Sequence, residues 1–133
     1  MARTFAFDAA YYERFYANKK TCVSDQKAVN TLGSFVVSYL KFLDVNVESV
    51  LDLGCGLGHW QKVARKHFPR APYVGVEFSA FLCQEHGWKQ GSVVDYDDGK
   101  QHDLVICQGV LQYLSAKDCR CLLYTSPSPR DRG

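Results

Sequence analysis

Two carboxylates and a run of glycines carry the chemistry legible in this chain. Asp52-Leu53-Gly54-Cys55-Gly56-Leu57-Gly58 sets glycines at alternate positions just after an acidic residue, and Glu77 follows 23 residues after Gly54. Glycines so spaced let a ligand lie on bare backbone, because a chain without Cβ atoms turns tightly and can be approached closely. Two ligands fit that geometry: a dinucleotide with its pyrophosphate on the next helix N-terminus, or an adenosine-bearing cation such as S-adenosylmethionine. Asp52 separates them. A carboxylate ~4 Å from a phosphate charge costs about 4 kcal/mol per unit-charge pair at an effective dielectric of ~20, whereas an ammonium or sulfonium there is attracted. The spacing G-x-G-x-G points the same way, since His59 stands where the dinucleotide fingerprint G-x-G-x-x-G wants its third glycine. Glu77 can accept both ribose hydroxyls of an adenosine, which either cofactor would offer.

These residues need a sheet to hold them. Ser49 to Leu53 (SVLDL) and Tyr73 to Glu77 (YVGVE) are short, nearly continuous apolar runs, as strands buried on both faces require. Ser92 to Asp95 (SVVD) and Asp103 to Cys107 (DLVIC) are predicted as the third and fourth strands. Between them, His59 to Phe68 carries Trp60, Val63, Ala64 and Phe68 at helical spacing and stops before Pro69, while Ser79 can cap a helix over Phe81 to His86. Upstream, Ser24 and Asp25 precede a stripe of Val29, Leu32, Val36, Tyr39, Leu40 and Leu43, a helix that packs one side against something apolar. Further upstream, Asp8 to Asn18 (DAAYYERFYAN) spaces its aromatics as a short lid-like helix does. Tyr11, Tyr12 and Tyr16 in it could clamp a sulfonium by cation–π contact or simply pack. Strands alternating with helices predict an α/β fold, a Rossmann-like doubly wound parallel sheet reached by right-handed crossovers, with N-terminal helices and a break after the fourth strand.

As a set, these motifs resemble the class I S-adenosylmethionine-dependent methyltransferases. VLDLGCGLG looks like that family's first motif, YVGVEFS like its second strand with the ribose-binding acid, and DLVICQGVLQYL like its fourth strand and the following turn. The resemblance covers about Val50 to Leu114, together with the aromatic segment YYERFY. It implies S-adenosylmethionine as cofactor and the following roles. Gly54, Cys55 and Gly56 would lie along the methionine part and ribose, with Asp52 holding the amino group directly or through water. Glu77 would bind the ribose hydroxyls and Phe78 would pack on the adenine face. Ser92 and Val93 stand where the family's Gly-Asp pair and the next residue meet the adenine edge; here Gly91 is followed by Ser92 rather than Asp, leaving a weaker hydroxyl contact or help from Asp95. Gln108 would meet the methionine end and the entering acceptor. No catalytic residue is named, because methyl transfer from a sulfonium is an in-line displacement that needs positioning and exclusion of water rather than an acid or base. The expected acceptor is a small molecule. The alternative is an NAD-binding Rossmann oxidoreductase, against which Asp52 and the glycine spacing both weigh.

Other chemistry finds little support. His59, His67, His86 and His102 form no triad or metal set, and Asp95, Asp97 and Asp98 lack the spacing and bidentate Glu of a calcium loop, so no metal is expected. Cys55 reads as a small apolar residue tucked between glycines rather than a nucleophile. With 133 residues, 47% hydrophobic and 23% charged, there is room for one domain. A formal charge of +2 with no block of like charges gives no sign of nucleic acid as partner, and no partner protein is evident. The apolar runs fall far below the roughly 18 to 20 residues of a membrane span, and no secretion signal opens the chain, so the expected location is the cytoplasm. Cys121 to Asp131 (CLLYTSPSPRD) resembles the conceptual translation of a transposase-type sequencing adapter. Residues 1–120 are accordingly read as a partial methyltransferase domain and 121–133 as a non-native, disordered tail. On that reading the chain is a fragment, inactive alone, whose fourth strand would expose one edge.

Overall fold

Val50–Leu53 (β1) is buried at all four positions, as a short run enclosed between two layers must be. In the computed structural model, which describes residues 25–110 and 113–125, β1 lies inside a parallel sheet of order β3-β2-β1-β4. The other strands are Tyr73–Glu77 (β2), Lys89–Gln90 (β3) and Leu104–Ile106 (β4). Around them run helices Gln26–Phe42 (α1), His59–His67 (α2), Ala80–His86 (α3) and Ala116–Thr125 (α4). The chain steps outward from β1 to β2 to β3, then returns past β1 to form β4. That reversal puts the topological switch point at the carboxyl ends of β1 and β4, where open α/β sheets hold their ligands.

The two faces of the sheet have separate cores. Leu51, Leu53 and Val76 pack with Val93 on one, while Val50 and Ile106 meet Ala64 of α2 and Val47 on the other. Register fixes which side chains meet: Asp52 lies opposite Gly75 on β2 and Ile106 on β4. The Asp25 side chain caps α1 by accepting from the Ala28 N–H at 2.8 Å, and Ser79 caps α3 by accepting from Leu82 N–H at 3.4 Å.

Several expectations need correcting. The apolar stripe of α1 is offset: Val29, Gly33 and Val37 are its buried face, whereas Leu32, Tyr39 and Leu43 are exposed. The third strand is Lys89–Gln90, and 93–95 form a turn. Val93 is buried all the same, which accounts for its strand-like signal. Helix α4 continues through 121–125, while residues 126–133 and the aromatic segment 8–18 lie outside the described residues.

Gly33 shows how closely α1 and α2 approach. A Cβ there would stand 2.6 Å from Val63 Cγ1, on a stiff β-branched side chain. Gly33→Ala is therefore expected to lower stability by about 1 kcal/mol, the overpacking cost exceeding the gain in helix propensity. Urea unfolding of the two proteins measures the difference.

Candidate functional site

β1 feeds directly into the glycine turn at the switch point. Gly54, Gly56 and Gly58 all have positive φ, at 78°, 55° and 81°. The turn is tied to the neighbouring strand, since Gly54 N–H and Cys55 N–H both donate to the Val76 carbonyl, at 2.8 and 3.1 Å. The glycines differ in what surrounds them. A Cβ on Gly54 would collide with Val110 and one on Gly58 would come within 2.8 Å of Trp88, but at Gly56 it would meet nothing within 4 Å among the described residues. Gly56 thus turns an open, unscreened face of backbone outward, which is the cradle that a bulky ligand needs.

Beneath that face sit two acids. Glu77, at the end of β2 and 7% exposed, accepts from Gly56 N–H at 3.1 Å with Oε1 and from Ser79 N–H at 2.7 Å with Oε2. Each carboxylate oxygen keeps a further lone pair for a donor from a ligand. Asp52, 2% exposed, accepts a hydrogen bond from the Tyr73 hydroxyl through Oδ2. Burial pushes the Asp52 carboxyl up to about 7; the Tyr73 bond opposes that shift and the Glu77 charge adds to it. The side chain faces Tyr73 inside the protein, so any effect on a ligand acts as a buried charge rather than a surface contact. Among the described residues neither acid has a cationic partner. The same burial, with Asp52 and Glu77 nearby, pushes the Cys55 thiol far up, which suits a packing residue and not a nucleophile.

The remaining expected site residues are distributed as follows. Phe78 stands 63% exposed beside Glu77. Gly91 N–H donates to the Glu77 carbonyl at 3.0 Å, which brings Ser92 alongside the end of β2; Ser92 Oγ accepts from Val94 N–H at 3.2 Å. The Val93 side chain belongs to the core with Leu51, Leu53 and Val76, leaving only its backbone for a ligand. Gln108, exposed just past β4, accepts from the Trp60 indole N–H and so joins the start of α2 to the loop after β4 across the switch point. His59 Nδ1 pairs with Gln26 Oε1 at 3.0 Å, while Gln26 Nε2 donates to the His59 carbonyl at 2.9 Å. Because that amide already donates, His59 donates from Nδ1, a neutral tautomer consistent with a pKa lowered by burial first and by Lys62. Asp97 and Asp98 accept from Gly99 and Lys100 N–H within a turn, and no group of metal-ligating side chains occurs among the described residues.

Sequence reasoning missed three residues here: Tyr73 as the partner of Asp52, Trp60 as the partner of Gln108, and Trp88. Trp88 donates from Nε1 to the Gly56 carbonyl at 2.9 Å. Its ring fills the space above Gly75, where a Cβ would stand 2.7 Å from it. A glycine inside a strand was the available signal, since it marks a place where something approaches the backbone closely.

The chain is similar in sequence and fold to known proteins. A family profile described as a methyltransferase domain matches residues 51–125. A malonyl-(acyl-carrier protein) O-methyltransferase of Legionella pneumophila is 32% identical over 65 residues, covering 49% of this chain and 23% of that protein. Among solved structures, an S-adenosylmethionine-dependent methyltransferase from Clostridium acetobutylicum superposes with a TM-score of 0.60 at 16% identity, over 86% of this chain and 48% of its own. The SAM-bound amino pentose methyltransferase of Micromonospora echinaspora, at 19% identity and a TM-score of 0.60, covers 91% of this chain and 51% of its own. The chain therefore spans about half the length of these structures and less than a quarter of the curated relative. With the profile matched along more than half of its residues, and with this sheet order and glycine turn, the chain belongs to the methyltransferase domain family.

Proposed function

We propose that this chain is the donor-binding part of an enzyme that moves a methyl group from S-adenosylmethionine to a small-molecule acceptor. The observation that carries the reading is the open backbone face of Gly56 bonded to Glu77 and close to Asp52, two buried acids that have no cationic partner among the described residues. That combination suits an adenosyl cation and penalises a pyrophosphate, so the residues present fit this cofactor better than NAD. Gly54, Cys55 and Gly56 line the donor's path, Glu77 takes the ribose hydroxyls, Phe78 and the Ser92–Val93 backbone border the adenine, and Gln108 faces the acceptor side. Asp52, which burial keeps protonated below about pH 7, contributes negative potential once ionised above it. When bound, the donor supplies an electrophilic methyl group on a sulfonium whose charge disperses during displacement. The protein's own share is to orient the donor and keep water away, with no side chain required to move a proton.

Support for a small acceptor comes from the chain's near-neutral charge and from the absence of a basic run suited to nucleic acid. No helix among the described residues is long and apolar enough to cross a membrane, and the proposed setting is the cytoplasm. The proposed domain spans residues 1–120, with an adapter-derived segment from 121.

Calorimetric titration with S-adenosylmethionine, S-adenosylhomocysteine and NAD tests the proposal. Saturable binding of the two adenosyl ligands without NAD binding is the expected result. NAD binding alone would overturn it.

A further inference from the structure

We propose that Trp88 is a positioning residue for the cofactor loop, holding the Gly56 peptide in the orientation that receives the adenosyl donor; this rests on the donor-binding reading above. Trp88 belongs to the turn between α3 and β3, outside the strands that carry the acids. Its indole N–H reaches back to the Gly56 carbonyl at 2.9 Å, while the N–H of the same residue donates to Glu77 Oε1 at 3.1 Å. Gly56 is thus fixed through both of its backbone polar groups, by two side chains from different elements, and only its Cα face is left open.

The ring completes the brace. Its six-membered edge lies where Cβ atoms on Gly58 and Gly75 would stand, at 2.8 and 2.7 Å, so both glycines are needed to admit it. Tyr73 tilts against the ring at a centroid distance of 6.0 Å and His86 stacks on it at 5.5 Å. A loop with positive φ at Gly54, Gly56 and Gly58 has many alternative conformations when unsupported, and each would have to be frozen out on binding. Trp88 removes that freedom in advance. The indole adds a directed hydrogen bond that a phenyl ring of similar outline cannot make.

The test uses the full chain, with S-adenosylhomocysteine as probe. Trp88→Phe keeps a packed ring and loses the N–H; it is expected to unfold in a single transition and to bind the probe about tenfold more weakly, the loss of one directed hydrogen bond. Gly33→Ala, which perturbs the α1–α2 contact away from the loop, is expected to retain wild-type affinity and so separates positioning from general stability. In an 15N-labelled chain, the Trp88 indole proton is expected to exchange slowly with solvent and more slowly still with the probe bound. Wild-type affinity in Trp88→Phe, equal weakening in Gly33→Ala, or rapid indole exchange in the complex would each overturn the role. If wild-type protein binds no adenosyl ligand although the Trp88 indole is protected, the functional reading fails and this role fails with it.

Discussion

Asp52→Asn is expected to be less stable than wild type at pH 4 and more stable at pH 8, the difference between the two proteins swinging by about 4 kcal/mol across that range. The cause is a carboxyl taken out of water with no cation among the described residues to compensate. In the unfolded chain Asp52 ionises with an ordinary pKa of 3.8, whereas in the folded chain burial raises it to about 7. Between those values the folded state holds a proton that the unfolded state has released, so wild-type stability falls as pH rises and levels off above about 7. Asparagine has nothing to titrate. Its side-chain oxygen can still accept from the Tyr73 hydroxyl, but its amide hydrogens are buried without an acceptor, at a cost of about 1 to 3 kcal/mol. At pH 4 that cost stands alone; at pH 8 the relief of a buried charge exceeds it. Urea unfolding at pH 4, 6 and 8 locates the crossover, and parallel curves for the two proteins would show that Asp52 is ordinarily ionised in the folded state.

Why Asp52 behaves this way shows where sequence reading stops. That it lies at the same end of the sheet as Glu77 was legible, because an acid two residues before a glycine turn and another at the end of the next strand must lie at one end of a parallel sheet. Its partner was not legible. Register sets Asp52 opposite Gly75, which has no side chain, so Tyr73 reaches across diagonally to fill the gap and Trp88 closes over it. Those contacts depend on which strands pair and in what register, information that no local pattern holds. The same limit explains the third strand. Lys89–Gln90 is a two-residue edge strand with both residues exposed, and nothing in its composition marks it. Val93 in the following turn drops into the core and imitates a strand in the sequence. By contrast β1, β2 and β4 were legible because burial on both faces leaves a continuous apolar run, and α2 and α3 because their ends carry turn-forming or capping residues. The stripe on α1 was misjudged for a related reason: its buried face includes Gly33, set close against Val63, which hydrophobicity cannot register.

Glu77→Ala is expected to weaken binding of S-adenosylhomocysteine by about a hundredfold or more. Two ribose hydroxyls donating to a carboxylate that is already shielded from water make charge-assisted bonds, each worth about 1.5 to 3 kcal/mol. The substitution also takes the acceptor from Gly56 N–H, so the cradle loosens as the ligand's own bonds are lost. Glu77→Gln is expected to fare little better. Both carboxylate oxygens accept from backbone N–H groups, and an amide must turn its own donor toward one of them. Loss of the Ser79 and Gly56 bonds lowers stability as well, so affinity alone does not prove contact with the ribose. A cycle supplies the proof: a probe lacking the ribose 2′-hydroxyl is expected to bind wild type much more weakly than the intact probe, yet to bind Glu77→Ala about as well as the intact probe does, because the hydroxyl no longer has a partner to lose. An undiminished preference for the hydroxyl in the variant would move ribose recognition away from Glu77, and the assignment of the second strand's acid would fall even if the donor itself still bound.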